Sequence, residues 1–186
     1  MEMHLKKFAG CGELSVKVSE FQMTAIGTII TPFNTLSKGI PIQGRLHPDA
    51  VGTVEIKPEY SEGLNDLEGF SHIILLYYFH HSKVTMLKAK PYMDDTERGI
   101  FSIRSPHRPN HIGMTLVELL GIDGNILQVK GVDMISGTPL LDIKPFSPSF
   151  DTVKVTRMGW MEQFLNGKKE KKHTFVNDED EWMHND

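Results

Sequence analysis

The feature that most constrains this chain is a succession of short segments in which apolar and polar residues alternate, separated by Gly and Pro. The alternation surrounds Val16 and Val18, recurs at 53–57 and recurs again at 152–156. A period of two places one face of a strand in a core and the other in water. The segment 70–79 is apolar almost throughout, which predicts a central strand covered on both faces. Many short strands without helical crossovers predict a mainly β fold, a small antiparallel β-barrel with short helices and a mobile C-terminal tail.

One hairpin is the clearest local prediction. The apolar segments 116–122 and 126–132 flank Asp123-Gly124, a dipeptide that tolerates the positive φ of a tight turn. One or two turns of helix are predicted at 61–69, and another short helix at 159–166. We divide the chain into an N-terminal extension, 1–23, a barrel domain, 24–157, and a C-terminal helix and charged tail, 158–186.

Composition narrows the class of protein. The longest apolar run, 73–79, has the length of a strand and not of a membrane span, so no membrane partner is expected. The single cysteine, Cys11, excludes an internal disulfide and favours a reducing compartment, which predicts a cytoplasmic protein. A net charge of −4 argues against a general nucleic-acid coat. No Gly-x-Gly-x-x-Gly follows a strand, which argues against a Rossmann cofactor site.

The most unusual segment is 101–113, where Pro106 and Pro109 predict an ordered, irregular loop. Arg104 and Arg108 offer planar guanidinium groups that suit a carboxylate or a phosphate. This density of Arg, His, Asn and Pro predicts a ligand site.

Two carboxylates follow in the segment 131–145. Asp133 is expected to end a strand, and its role as a structural or a functional group stays open. Asp142 lies in an apolar run, where a carboxylate is costly unless it is paired. For Asp142 we expect a structural pair with Lys144 or a loop arginine.

Histidines and charge blocks suggest further sites. His80-His81 and His107-x-x-x-His111 invite a metal interpretation, but no ligand spacing typical of zinc is present, so no metal is expected. A basic block at 168–172 and an acidic block at 178–181 indicate a solvated tail. An RNA-contacting arm is the alternative for that tail.

Several long motifs together resemble the TsaA-like family, whose best-known members are tRNA threonylcarbamoyladenosine N6-methyltransferases. The resemblance covers 24–151 and rests on five motifs. They are Ala25-Ile-Gly-Thr-Ile-Ile-Thr-Pro-Phe33, Leu67-Glu-Gly-Phe-Ser-His72 with Tyr77-Tyr-Phe-His80, Arg104-Ser-Pro-His-Arg-Pro-Asn110, Gly131-Val-Asp133, and Gly137-Thr-Pro-Leu-Leu-Asp-Ile-Lys-Pro-Phe146.

The resemblance implies a β-barrel that forms a homodimer and binds S-adenosylmethionine near the subunit contact. The implied cofactor contacts are Pro41, Gln43, His80, His81, Arg104, Met114, Asp133, Met134, Ile135 and Ser136. Arg104 suits the methionine carboxylate, while Asp133 suits the sulfonium or the ribose. This sequence departs from the family's pattern at three positions: Ile42 replaces an Arg, Ser136 an Asp, and His111 a Pro.

The implied reaction transfers the cofactor's methyl group to N6 of threonylcarbamoyladenosine next to the anticodon of tRNA. Asp133, or a histidine of the 80–81 pair, is the expected proton acceptor. Arg98 and Arg108 are candidates for RNA phosphate contacts. Two alternatives stay open: a module that binds S-adenosylmethionine or a nucleotide without catalysis, and a methyltransferase for another RNA or a small molecule. This chain is expected to lack the additional C-terminal domain of the family's bacterial enzymes, which favours the second alternative.

Overall fold

A computed structural model describes residues 20–34, 39–92 and 94–165 of the chain. Six strands form the barrel: β1 Gly27–Ile30, β2 Val51–Ile56, β3 His72–Tyr78, β6 Ile112–Asp123, β7 Ile126–Lys130 and β8 Thr138–Pro145. Two further strands, β4 Lys88–Ala89 and β5 Arg98–Gly99, pair with each other outside it. The predicted mainly β, antiparallel barrel is confirmed.

The barrel closes because β1 pairs with strands from both ends of the fold. The strand order is β1-β2-β7-β6-β3-β8, and every pairing is antiparallel. On one side Gly27 lies opposite Ile56, and on the other it lies opposite Leu140. Because the sheet closes on itself, its strands leave no unpaired edge.

Alternation along the strands fills the barrel. Ile73, Leu75 and Tyr77 of β3 point into the core, while the intervening side chains are half-buried. Leu127 and Val129 of β7 face the same interior and are completely buried. Branched aliphatic side chains at every second position suit the pleat of a strand, and they give the barrel a packed core rather than a channel.

Short helices occupy the connections. Single-turn and double-turn 3₁₀ helices span Gly44–Leu46, Pro58–Leu64, Leu67–Gly69, Ile100–Ser102 and Gly159–Met161. Among the described residues, the α-helices are α1 Pro148–Asp151 and α2 Glu162–Leu165, and α1 has one turn. The short helices predicted at 61–69 and 159–166 are therefore confirmed up to residue 165, and residue 166 lies outside the described residues. Within the described ranges, no helix has the length and apolar character needed to cross a bilayer.

Three local predictions need correction. The hairpin forms, but Asp123 pairs with Ile126, so its two-residue turn is Gly124-Asn125. Gly124, at φ 60°, takes the first turn position, where a two-residue turn of type II′ requires glycine. The outer face of β3 is half-buried and not covered. The residues 152–156 form no strand, and Val153 is 76% exposed, because the closed barrel offers no edge to pair with. The segment around Val16 lies outside the described residues.

Candidate functional site

A cleft lies at one end of the barrel, where β1, β3 and β7 end and β6 and β8 begin. Its lining comes from four segments, 40–43 after β1, 77–82 at the end of β3, 104–106 before β6 and 133–138 between β7 and β8, together with Tyr92 from the connection between β4 and β5. Beside the cleft, the pairing of β3 with β8 skips one residue after Leu76. Such a bulge re-aims a strand at the rim of a barrel, and here it sets the position of Tyr77.

Asp133 lies at the floor of the cleft. Its Oδ2 accepts a hydrogen bond from the backbone N–H of Gly44 at 2.8 Å and another from the hydroxyl of Thr115 at 3.1 Å. Its Oδ1 is buried and has no hydrogen-bond partner. Burial raises the pKa of Asp133 to about 6, against the opposing effects of the Gly44 and Thr115 hydrogen bonds, the positive charge of Arg104 and the Tyr77 hydroxyl. A buried carboxylate with a free oxygen indicates a site that expects a further partner.

Tyr77 faces Asp133 from the end of β3. Burial raises the pKa of the Tyr77 hydroxyl well above its usual value, and the negative charge of Asp133 adds to the shift. The ring of Tyr77 meets that of Phe79 edge to face, with the ring centres 5.2 Å apart. Tyr92 completes an aromatic group in the lining of the cleft. Aromatic faces of this kind suit an adenine ring or a cation.

The segment that carries Pro41 and Gln43 is fixed at two points. Gly44, next along the chain, donates its N–H to Asp133. The Gln43 side-chain oxygen accepts a hydrogen bond from the guanidinium of Arg104 at 2.6 Å. Arg104 is exposed at the mouth of the cleft, so it combines a fixed position with access to a ligand.

His80 and His81 line the same cleft, with their ring centres 4.2 Å apart. Burial lowers the pKa of His80, and the neighbouring charge of His81 lowers it further. Behind them, Ser82 hydrogen-bonds Nδ1 of the buried His107 at 2.9 Å. The histidine pair is therefore held against the loop that carries Arg104, and His80 favours the neutral form, which can accept a proton.

The predicted cofactor contacts fall into two groups. The cleft brings together Pro41, Gln43, His80, His81, Arg104, Asp133, Met134 and Ile135. Met114 does not line it and lies 49% exposed on β6. The hydroxyl of Ser136 accepts the backbone N–H of Thr31 at 3.2 Å, outside the lining. Asp142 forms the predicted pair with Lys144, at 2.8 Å.

The two arginines predicted to contact RNA are engaged within the chain. Arg98 pairs with Asp94, and its guanidinium lies 4.6 Å from the centre of the Trp160 ring. The guanidinium of Arg108 donates to backbone carbonyls, including that of Ile103 at 2.9 Å. Neither arginine lines the cleft, and their contact with RNA phosphates stays a prediction.

His111 explains one departure from the family's pattern. Its backbone φ is 48°, in the left-handed region, and its ring hydrogen-bonds the carbonyl of Pro106 at 3.0 Å. Proline is locked near φ −65°. The loop that includes His111 therefore follows a path that a proline at this position would forbid.

Sequence patterns did not predict the aromatic lining. Tyr77 and Phe79 lie in an apolar strand and looked like core residues, and no motif marked Tyr92. The available signals were the motif Tyr77-Tyr-Phe-His80 and the position of Tyr77 and Phe79 directly before His80-His81. Among the residues that the structure describes, no group of three or more His, Cys, Asp or Glu converges to hold a metal ion.

Comparisons with known proteins agree with this fold. A family model for the tRNA-methyltransferase O N-terminal domain matches residues 28–152. A probable S-adenosyl-L-methionine-binding protein of Pyrococcus abyssi is 50% identical over 138 residues, 74% of each chain. A tRNA (adenine(37)-N6)-methyltransferase of Rattus norvegicus is 36% identical over 152 residues, 77% of this chain and 35% of that one.

Among solved structures, TrmO from Pseudomonas aeruginosa superposes with a TM-score of 0.63 at 36% identity, covering 76% of this chain and 62% of that one. The chain thus spans about three fifths of that structure and about a third of the rat enzyme. The family match covers the whole barrel from β1 to β8 except the first residue of β1. The chain belongs to the family of the tRNA-methyltransferase O N-terminal domain, as its TsaA-like motifs predicted.

Proposed function

We propose that this chain is an S-adenosylmethionine-dependent methyltransferase that acts on N6 of threonylcarbamoyladenosine next to the anticodon of tRNA. The observation that carries the proposal is the convergence, on one cleft at the barrel end, of four separate segments that each carry a predicted cofactor contact. The names of the relatives support it, since they include both S-adenosylmethionine-binding proteins and tRNA (adenine(37)-N6)-methyltransferases.

The residues of the cleft fit this cofactor chemically. Arg104 offers an exposed guanidinium for a carboxylate, and Tyr77, Phe79 and Tyr92 offer aromatic surface for an adenine ring. The free oxygen of Asp133 places negative charge at the floor. When bound, S-adenosylmethionine supplies a methyl group activated by a positively charged sulfur. The chain's own contribution is to position the two reactants, because the accepting nitrogen is a poor nucleophile.

A proton must leave the accepting nitrogen during the reaction. His80 and His81 are suited to take it, because burial and mutual repulsion keep the pKa of His80 low and its imidazole neutral. Asp133 is the other candidate, but its Oδ2 accepts two hydrogen bonds and its Oδ1 is shielded from solvent. Its role as the catalytic base stays a prediction.

The assembly and location are also proposals. The cleft encloses about 120 Å³, less than the 300–1,000 Å³ typical of small-molecule sites. A homodimer, which the family resemblance implies, offers a second surface to complete it. The exposed apolar side chains of Met114 and Leu120 on β6 support such a contact. We place the protein in the cytoplasm, with tRNA as its partner.

Isothermal titration with S-adenosylmethionine tests the proposal, with Arg104→Ala as the variant. The substitution is expected to weaken binding at least about tenfold, ~1.4 kcal/mol. Arg157→Ala is the matched control, because Arg157 is exposed on the segment after α1 and does not line the cleft. Methyl transfer to tRNA carrying threonylcarbamoyladenosine then tests the substrate. No cofactor binding by the unaltered protein would overturn the proposal.

A non-catalytic cofactor-binding module is the second candidate. It is favoured by the loss of an arginine at Ile42, which lines the cleft, and by the names of several archaeal relatives, which mention binding only. Cofactor binding without methyl transfer to any tRNA would decide for the module.

A further inference from the structure

The floor of the cleft carries a carboxylate whose hydrogen-bond donors are all neutral groups. Asp133 Oδ1 is buried without a partner, and the two hydrogen bonds to Oδ2 come from neutral groups, Gly44 N–H and the Thr115 hydroxyl. Burial is costly for an ionised carboxylate unless positive charge lies nearby. The positive charge that reaches Asp133 comes from Arg104, whose guanidinium is held by Gln43 at the mouth.

The surroundings of this carboxylate suit a small cation that carries apolar groups. Tyr77 faces this carboxylate, its ring forms an edge-to-face pair with that of Phe79, and both rings line the cleft. Aromatic faces attract cations through their quadrupole without replacing their charge. A cleft with a carboxylate at its floor and aromatic rings in its lining therefore favours a sulfonium, which carries apolar groups, over a strongly hydrated ammonium ion.

Resting on the proposed function, we infer that Asp133 makes the cleft select the cationic cofactor over its neutral product. Methyl transfer forms an N–C bond and breaks the S–C bond, whose electron pair returns to sulfur. The nitrogen proton leaves to the base, and the sulfonium becomes an uncharged thioether. The cofactor and S-adenosylhomocysteine then differ only by a methyl group and one positive charge. A buried carboxylate distinguishes the two through that charge, in a region where electrostatic attraction is weakly screened.

Selection of the cofactor by charge and proton acceptance by a base place different demands on the position of Asp133. A base must reach the proton of the substrate, whereas Asp133 Oδ1 is shielded from solvent. A fixed charge acts across several ångströms and needs no contact. Asp133 is therefore a specificity-determining residue for the cofactor, and its loss should change the binding of two ligands unequally.

Titration of both ligands into one set of proteins tests the inference. The unaltered protein is expected to bind S-adenosylmethionine more tightly than S-adenosylhomocysteine. In Asp133→Asn, which keeps an acceptor for Gly44 and Thr115, S-adenosylmethionine affinity should fall at least about tenfold, ~1.4 kcal/mol. S-adenosylhomocysteine affinity should change less than about twofold. Asp142→Asn is the control, because it removes an equal charge from a residue outside the cleft.

A pH series adds an independent measurement. Because protonation of Asp133 removes the attraction, the preference for S-adenosylmethionine should decline as pH falls from 7.5 to about 5.5. Asp133 is faced by Tyr77, whose pKa is raised well above its usual value, and by the positive charge of Arg104, and the cleft also contains His80 and His81. Protonated histidines would also repel the sulfonium and lower the preference for S-adenosylmethionine. The contribution of Asp133 is therefore the part of the pH-dependent decline that is absent in Asp133→Asn.

The outcomes separate the inference from the proposed function. An equal loss of both ligands in Asp133→Asn, or an unchanged preference, would overturn the selection role while leaving the cofactor site in place. Binding of neither ligand by the unaltered protein would overturn both. Normal binding of both ligands by Asp133→Asn with loss of turnover would identify Asp133 as the base instead.

Discussion

Gly113 of β6 lies directly opposite Tyr77 of β3, and the tyrosine ring occupies the space that a side chain at Gly113 would fill. A Cβ added to Gly113 would lie 2.2 Å from Cε2 of Tyr77. Because Tyr77 in turn faces Asp133, the position of the cleft floor depends on the absence of one methyl group on a neighbouring strand.

Gly113→Ala should therefore displace the Tyr77 ring and destabilise the barrel by about 1–3 kcal/mol, as overpacked cores do. Urea unfolding measures this. Gly121→Ala, on the same strand with open space at its Cβ, is the control and should change the free energy of unfolding by less than about 1 kcal/mol. Equal effects of the two substitutions would show that the clash with Tyr77 is not the cause.

Gly44→Ala should damage the cofactor site. A Cβ there would lie 1.8 Å from the carbonyl oxygen of Gly131, and a backbone atom cannot rotate away. The segment with Pro41 and Gln43 must move, so S-adenosylmethionine affinity is expected to fall at least about tenfold. Calorimetric titration measures it, with Gly63→Ala, which has open space, as the control. Unchanged affinity in Gly44→Ala would mean that this segment does not hold the cofactor.

Asp133 should make the stability of the protein depend on pH. Its pKa rises from the model-peptide value of 3.8 to about 6 on folding, so the native state binds the proton more tightly than the unfolded state. The resulting stabilisation is complete below about pH 3.8 and is lost as pH rises through about 6. Relative to Asp133→Asn, the unaltered protein should lose about 1–3 kcal/mol between pH 4 and pH 7.

Urea unfolding of both proteins at several pH values measures that difference, and a constant difference would contradict the raised pKa. The direction of this stability change also bears on the ligand titrations with Asp133→Asn. Asp133→Asn is expected to be at least as stable as the unaltered protein at pH 7.5, so a selective loss of S-adenosylmethionine binding cannot be ascribed to unfolding.

Trp160 should control how firmly the segment after α1 is attached. Its ring lies over Arg98, its Nε1–H donates to the carbonyl of Ser102 at 2.8 Å, and Gln163 reaches Asp94 at 3.4 Å. Trp160→Leu removes contacts worth about 1–3 kcal/mol together. Tryptic cleavage after Arg157 should accelerate at least about fivefold. Phe150→Leu, at an 87% exposed position, is the control, and equal rates in both variants would exclude the attachment.

Much of the fold could be predicted from the sequence, because the period of two at 53–57 and the apolar run at 70–79 are both set by the core itself. The predictions that were wrong concern segments whose structure depends on residues distant in the sequence or on the exact turn conformation, which a local pattern does not show. Alternation at 152–156 is as regular as in β2, yet it forms no strand, since β1 and β8 already pair with each other. The hairpin turn shifted by one residue, because glycine is required at the first turn position of the conformation adopted.

The site was predictable through its motifs, but not its internal contacts. Most of the predicted cofactor residues converge, whereas Met114 and Ser136 lie outside the cleft. The Ser136 hydroxyl accepts a hydrogen bond from the backbone N–H of Thr31, 105 residues earlier in the chain. No local pattern shows this contact. The contact of Tyr77 with Asp133 could not be predicted either, because an apolar strand does not show which of its aromatic rings reaches a carboxylate.

The closure of the barrel by β1 and β8 also has a consequence for synthesis. Residue 27 pairs with residue 140, so the first strand keeps an unsatisfied edge until the ribosome has released almost all of the barrel sequence. The hairpin of β6 and β7 is local and can form early, but contacts this distant are slow to form. A nascent chain stalled before β8 therefore presents an open sheet edge, which is the form most exposed to aggregation and to chaperones.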